Sequence, residues 1–511
     1  FFFFEFRRKK LLPMSAPPAP APAPSTTNLL SLLASRSKTW HPLSQNDRLP
    51  LARAVIAAIE TDAFSTAGDW LGGTAETEHV PAPQRLVTGS TLRFVMGSLV
   101  KTFLQGFLAS ADPATPPLRP GQRVTIGPSA PGVTFELAAA PPGPLADAAA
   151  AEDAGAAPAG TVCVVLGAGN QPFLSVVDVL QRVFVRGETV LLKLHPLRPY
   201  YAAPYAAMLA PLLGKGIVQM VPDAGVGATT ELLLDPRVGH VHMTGAEATA
   251  LAISETLARN PTAPGLTSEL GCATPWIVTP GKYTPTELKN AARIAVHSKK
   301  LNGGSNCLNA QVLVLGEGWA QAEEFMEEVI KQCKESDTPA CYYPGVEKNY
   351  QKMKAHYAAT DKILLDGTTP SDVTIVDCGV YPSAFDDTAT RDEVFCPIFA
   401  TVAVAGGLPA MVDLCNSNAV CGSLSCVLLS PAAADPGEVE EALQGLHFGT
   451  VAHNVASFVG YLGLGTGGVW GARPGESRSG AGFLGNLRRL PGVTGQVVRA
   501  SPLAELALDP S

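Results

Sequence analysis

Between Thr161 and Val221 the chain alternates strand-like and helix-like patterns, and this alternation restricts the fold more than any other stretch. "TVCVVL" reads as a buried strand, and the turn "GAGNQP" follows it. In "FLSVVDVLQRVFVRG", Phe173, Val176, Val177, Leu180 and Phe184 fall at i, i+3, i+4, i+7 and i+11, one face of a helix. "ETVLLKL" is the next strand, "YAAPYAAMLAPLLGKG" the next helix, and "IVQMV" a third strand. Units of this length predict a parallel sheet with helices packed on it. Ligands bind such sheets at the carboxyl ends of the strands, here residues 167–172, 193–196 and 222–227.

The second informative stretch is "KKLNGGSNCLN", residues 299–309, which sets Cys307 behind two glycines, a serine and an asparagine. Upstream, Thr284 caps a helix, Pro285 takes its first position, and Glu287 completes a capping box. Leu288, Ala291, Ala292 and Ala295 form its apolar stripe, while Lys299 and Lys300 suit the negative end of its dipole. Gly303 and Gly304 end the helix, and "AQVLVL" is the strand beyond. Cys307 is therefore expected in a tight helix-to-strand loop facing a cleft. His240 and His242 share one face of a strand, but no third ligand is nearby, so no metal is predicted.

The chain has 511 residues, more than one core usually spans. A formal charge of −8 leaves no electrostatic footprint for nucleic acid. The ten cysteines form no C-x-x-C pair, which fits reduced thiols and a cytoplasmic location. No run of strongly apolar residues is long enough to predict a membrane span. Residues 1–28 are expected to be a disordered tail rich in Pro and Ala, with an organelle transit sequence as the other reading. Residues 138–160 read as a low-complexity surface loop, and "GLGTGG" at 463–468 as a flexible glycine loop.

Several motifs, in order, resemble the aldehyde dehydrogenase superfamily over roughly residues 160–485, with the chain as a divergent member. "SELGCATP" resembles the glutamate box, "LNGGSNCLNAQVLV" the cysteine box and "EVFCPIF" the E-x-F-G-P motif. "VLLKLHP", "VHMTGAEA", "GAGNQPF" and "FGTVAHN" match further family segments. The resemblance implies an α/β fold with two doubly wound parallel-sheet domains, one cofactor-binding and one catalytic, plus a β-hairpin oligomerisation arm. The expected layout places the NAD(P)-binding domain at 29–121 and 159–268, and the hairpin with its low-complexity loop at 122–158. The catalytic domain follows at 269–460, with a glycine-rich segment and oligomerisation strand at 461–511.

By the same resemblance Cys307 is the nucleophile, Glu269 the base, and the Asn170 amide with the Cys307 N–H the oxyanion donors. Lys193, Gly225, Gly245, Leu270, Glu393 and Phe395 are the cofactor-binding positions, for NAD or NADP. A thiolate suits covalent aldehyde chemistry because it attacks well and leaves well. Gly303 and Gly304 are expected to let substrate and cofactor approach the sulfur closely. Departures cluster near the cofactor: Pro196 replaces a glutamate that binds ribose, which would tolerate a 2′-phosphate, and Gly169 replaces an aromatic before Asn170.

The expected activity is oxidation of a small aldehyde to a carboxylate through a thiohemiacetal and a thioester, by a homodimer or homotetramer. The alternatives are a CoA-acylating relative and an inactive nucleotide-binding or structural member of the fold.

Overall fold

The computed structural model describes residues 25–111, 123–125, 132–139, 157–487 and 492–500, with 143–144, 147 and 502–503 as isolated positions. Most of the N-terminal tail and of the low-complexity loop lies outside the described residues, as do residues 504–511.

The alternation at 161–221 folds as its pattern predicts. Strands Val162–Leu166, Val190–Lys193 and Val218–Val221 lie side by side in parallel, followed on the other side by Val238–Thr244 and Gly265–Glu269. The spatial order of these five, numbered along the chain, is 3-2-1-4-5, so the winding reverses beside Val162–Leu166. A reversal of this kind opens a crevice at the carboxyl ends of the strands. Asn170 follows one of the two central strands and Gly245 the other. Helix Pro172–Leu180 buries Phe173, Val176, Val177 and Leu180 against this sheet, and Phe184 continues the stripe into a π-helical turn.

N-terminal helices Thr26–Trp40, Gln45–Glu60 and Arg85–Ser110 pack around the same domain, inserting Trp40, Val55, Phe103 and Phe107 into its core. The buried Arg48 guanidinium joins them by donating to the carbonyls of Phe184 (3.1 Å) and His41 (3.0 Å).

The second sheet has six parallel strands in the order Thr450–His453, Ser425–Leu429, Pro275–Val278, Val312–Gly316, Ile398–Val404 and Thr374–Tyr381. Helix Pro285–Lys300 carries the expected capping box, with both Thr284 and Glu287 bonds formed, and buries Leu288, Ala291, Ala292 and Ala295. Lys299 and Lys300 do not end that helix in solvent. Both are buried, donating to the carbonyls of Cys396 (3.3 Å) and Cys333 (2.7 Å).

The hairpin appears as antiparallel strands Arg123–Thr125 and Thr134–Ala139, joined by the C-terminal strand Val493–Arg499. Val493–Arg499 also pairs in parallel with Thr450–His453, so the hairpin extends the chain's own second sheet. The glycine run at 463–468 differs from the flexible loop expected. It belongs to a 3-10 segment, Ser457–Thr466, and Gly463 is so close to Phe135 that a Cβ would lie 2.6 Å from the ring. These glycines serve tight packing.

Candidate active site

The carboxyl edge of the first sheet faces the amino edge of the second, and the predicted site residues gather at that junction. Glu269 ends strand Gly265–Glu269. Cys307 lies in the loop before Val312–Gly316, and Glu393 before Ile398–Val404. Asn170 reaches across from the first domain, its amide donating to the Ser305 carbonyl (3.4 Å). Asn302, two residues into the helix-to-strand turn, donates to the carbonyls of both Asn170 (3.2 Å) and Ser305 (3.0 Å). Asn170 and the cysteine loop are thereby held as one unit.

The turn itself corrects one expectation. Gly303 and Gly304 have φ of 60° and 77°, and a Cβ on either would lie 2.6 Å from backbone at Ala340 or Cys396. They are glycines because the loop threads between two backbone segments, not to clear space at the sulfur.

Cys307 is 8% exposed, and its thiol is pushed well above the usual cysteine range by burial, then by the nearby Glu269 and Glu393 carboxyls. At rest it is a thiol and needs a base. Glu269 is 4% exposed, and burial pushes its carboxyl up to about 7. A hydrogen bond from Trp470 Nε1 to Glu269 Oε1 (3.0 Å) opposes that rise, as does one from Tyr461. Tyr461 stacks on Trp470 at 4.1 Å and meets Phe173 edge-on at 5.0 Å, so a buried aromatic wall backs the carboxyl.

That wall comes from the glycine-rich C-terminal run. Trp470 sits in strand Val469–Gly471, paired with Phe483–Gly485, while Gly480–Ala481 adds an antiparallel edge beside Glu269. Neither Trp470 nor Tyr461 was marked by the sequence reading. A lone tryptophan within a glycine run was the available signal.

The cofactor positions separate into two groups. Lys193, at the end of Val190–Lys193, forms an ion pair with Asp223. Gly225 opens helix Gly225–Leu233 with φ +90°, and a Cβ there or on Gly227 would meet nothing within 4 Å. A helix start with bare glycines at a sheet's carboxyl edge suits a pyrophosphate. Across the junction, the Glu393 carboxyl accepts from the Cys272 N–H (3.3 Å), lies against Gly271, and is pushed up to about 7 by burial. Phe395 holds a φ of 54°, unusual for an aromatic residue, and meets Tyr343 edge-on at 4.9 Å. These residues fit a dinucleotide.

Two positions offer it less than expected. The Gly245 N–H is donated to the Glu269 carbonyl (3.0 Å). Leu270 gives its N–H to Ser479 (2.9 Å) and its side chain to the core.

Gly169, which stands where an aromatic was expected, has a physical partner. A Cβ there would be 2.6 Å from Nδ1 of His195, so an imidazole from the neighbouring strand end fills the space. Burial, then Lys193 and Arg198, lowers that imidazole to about 4, leaving it neutral at pH 7. Arg198 fixes the same loop, donating to the Gly169 carbonyl (2.8 Å), Glu78 (2.6 Å) and the Tyr342 hydroxyl (2.9 Å).

The two-domain α/β fold places a buried thiol and a buried carboxyl at the domain junction. The chain belongs to the aldehyde dehydrogenase family, whose model matches residues 154–483. Solved structures with the same fold include an aldehyde dehydrogenase from Bartonella henselae (14% identity, 93% of this chain and 90% of that one, TM-score 0.65). Aldehyde dehydrogenase 21 from Physcomitrella patens, in complex with the reaction product succinate, matches with 14% identity over 94% and 91% of the chains, TM-score 0.63. An NADP-dependent glyceraldehyde-3-phosphate dehydrogenase from Bacillus halodurans C-125, complexed with NADP, matches with 15% identity over 93% and 91%, TM-score 0.61. Among curated proteins no match is found. No helix among the described residues is long and apolar enough to cross a membrane.

Proposed function

We propose that the protein oxidises an aldehyde to a carboxylate, using a nicotinamide dinucleotide and a covalent adduct on Cys307. The observation that carries this reading is a buried thiol beside a buried carboxyl poised near neutrality. Glu269 takes the thiol proton as Sγ bonds to the carbonyl carbon, and the carbonyl π pair becomes an oxyanion. The second N–H of the Asn170 amide and the Cys307 N–H stabilise that charge. When bound, the dinucleotide supplies the acceptor for the hydride that converts the thiohemiacetal to a thioester. Once it has released the thiol's proton, Glu269 takes a proton from water, the oxygen adds to the thioester, and the C–S bond breaks to release the acid and restore the sulfur.

The test is NAD(P)H formation from a panel of aliphatic, aromatic and polar aldehydes with each cofactor, with and without CoA. Turnover that requires CoA, or none with any aldehyde, overturns the reading.

Two side chains adjust this chemistry. Asp223 supplies a carboxylate beside Lys193 in place of the one missing at Pro196, and so opposes a 2′-phosphate. NAD is therefore the expected cofactor. Asp223→Asn is expected to shift the ratio of kcat/KM for NADP over NAD upward by about tenfold, from one neighbouring charge in a partly screened setting. Trp470→Phe removes a donor that lowers the Glu269 pKa. The acidic limb of its rate–pH profile is expected to move up by roughly one unit, the worth of a charge-assisted hydrogen bond.

A further inference from the structure

The buried face of a parallel sheet is ordinarily apolar, yet beside Glu269 it is polar. His240, His242 and Thr244 alternate along one face of Val238–Thr244, and Thr267 and Glu269 along the adjoining strand. The register sets His242 opposite Thr267 and Thr244 opposite Glu269. Asp178, on helix Pro172–Leu180, is wholly buried over this stripe. Its Oδ2 accepts weakly from Thr244 Oγ1 (3.5 Å), and its Oδ1 lies 3.4 Å from His242 Nε2. Among the described residues, neither of those last two atoms has a hydrogen-bond partner, so the two face each other at ion-pair distance without a hydrogen bond. The other ring nitrogen of His242 is bonded to Thr267 Oγ1 (2.8 Å), which also meets His240 Nε2 (3.0 Å). The ring is thus oriented from behind, and its free nitrogen is aimed at a carboxylate.

Nothing in the aldehyde chemistry uses this pair, but the chemistry leaves it a task. Glu269 takes up a proton in each half of the cycle from a position almost closed to water, and must release it before the next. We propose that Asp178 and His242 form a proton-holding pair that relieves Glu269 of this proton. The O–H bond on Glu269 breaks and a bond to hydrogen forms on the pair. That proton returns to the Cys307 sulfur when the C–S bond breaks, and the proton taken from water leaves to solvent as the acid departs. No electrons are gained or lost. Asp178 and His242 lie within electrostatic reach of Glu269, and their effects on its carboxyl oppose each other. The other titratable groups around the pair are Tyr461 and Tyr205, both held as phenols by burial, and His240, kept neutral by burial and Arg182. No group of three metal-ligating side chains occurs among the described residues.

The inference rests on the aldehyde dehydrogenase reading and deepens it: both residues act through Glu269 without touching substrate. The experiment compares wild-type protein with Asp178→Asn and His242→Gln in rapid-mixing and steady-state assays. Each variant is expected to keep the amplitude of the first-turnover NAD(P)H burst and the aldehyde KM. Each should lose about tenfold in kcat, a fraction of the roughly 10²- to 10⁴-fold that acid–base catalysis supplies, and show a larger solvent deuterium effect on kcat. A purely structural loss would instead lower the burst amplitude, and that result overturns the proposal. So does a folded variant with wild-type kcat and isotope effect. If one variant does not fold, the other decides. If the wild-type protein oxidises no aldehyde, the functional reading fails and this inference falls with it. Active wild type with unaltered variants defeats the inference alone.

Discussion

Changing Cys307 to serine is expected to lower NAD(P)H production by about 10⁴-fold or more, the scale on which loss of a covalent nucleophile acts. A serine hydroxyl at this position keeps the size and a hydrogen-bonding atom, so the loop packing at Ser305, Asn306 and Asn170 has no reason to change. What it lacks is an ionisable proton within reach of Glu269, whose carboxyl sits at about 7. Glu269 transfers a proton readily from a thiol, even one raised by burial, and hardly at all from an alcohol. The check is steady-state turnover together with intact-protein mass after mixing with aldehyde and cofactor. Wild-type protein should carry an acyl mass increment, and the serine variant none. A variant that retains a tenth of the activity removes Cys307 from the mechanism, whichever other cysteine is then responsible. All ten cysteines are free thiols, and only Cys341 and Cys421 are partly exposed.

Glu269→Gln should produce two large effects of opposite sign. Activity should fall by roughly 10²- to 10⁴-fold through loss of the base, and the acidic limb of the rate–pH profile near pH 7 should vanish. Stability should rise. Burial pushes the folded-state carboxyl up to about 7, against the ordinary 4.5. Between those two values the folded chain binds a proton that the unfolded chain does not. Folding therefore weakens as pH increases through this window and levels off above it. A shift of 2.5 units corresponds to about 3 kcal/mol, so the glutamine variant should unfold at clearly higher denaturant concentration than wild type at pH 8. At pH 4 the two should be nearly equal. Equal midpoints at pH 8 would show that Glu269 is solvated and contradict the role of poised base proposed for it. Glu393, also raised to about 7, puts a second ionisable group with the same pH sign at the same junction.

The parts of this architecture that depend on local pattern were legible in the sequence. The i, i+3, i+4 stripe from Phe173 to Phe184, the Thr284–Glu287 capping box and the three strands of 161–221 each follow from neighbouring residues, and each formed. Cys307, Glu269 and Asn170 were singled out by their short motifs, and the segments that carry them meet at the junction. What escaped the reading depends on contacts between distant segments. Trp470 meets Glu269 across 201 positions of sequence, and His195 occupies the space beside Gly169 only because two strand ends are adjacent. Gly303 and Gly304 show the same limit from the other side. Their local signature is a bare loop, but the backbone of Ala340 and Cys396 gives them their reason. Asp223 brings a carboxylate to Lys193 from just beyond the end of a different strand, something no reading of "KLHP" alone reveals.

The segment from Trp470 to Arg499 backs Glu269, edges the first sheet beside it, and bridges the hairpin to the second. During synthesis, both parallel-sheet cores can collapse while that segment is still inside the ribosome, but the base then lacks its aromatic backing and each sheet an edge. A nascent chain stalled before residue 470 should thus be compact yet chemically idle. The site is completed only when that segment emerges, all at once.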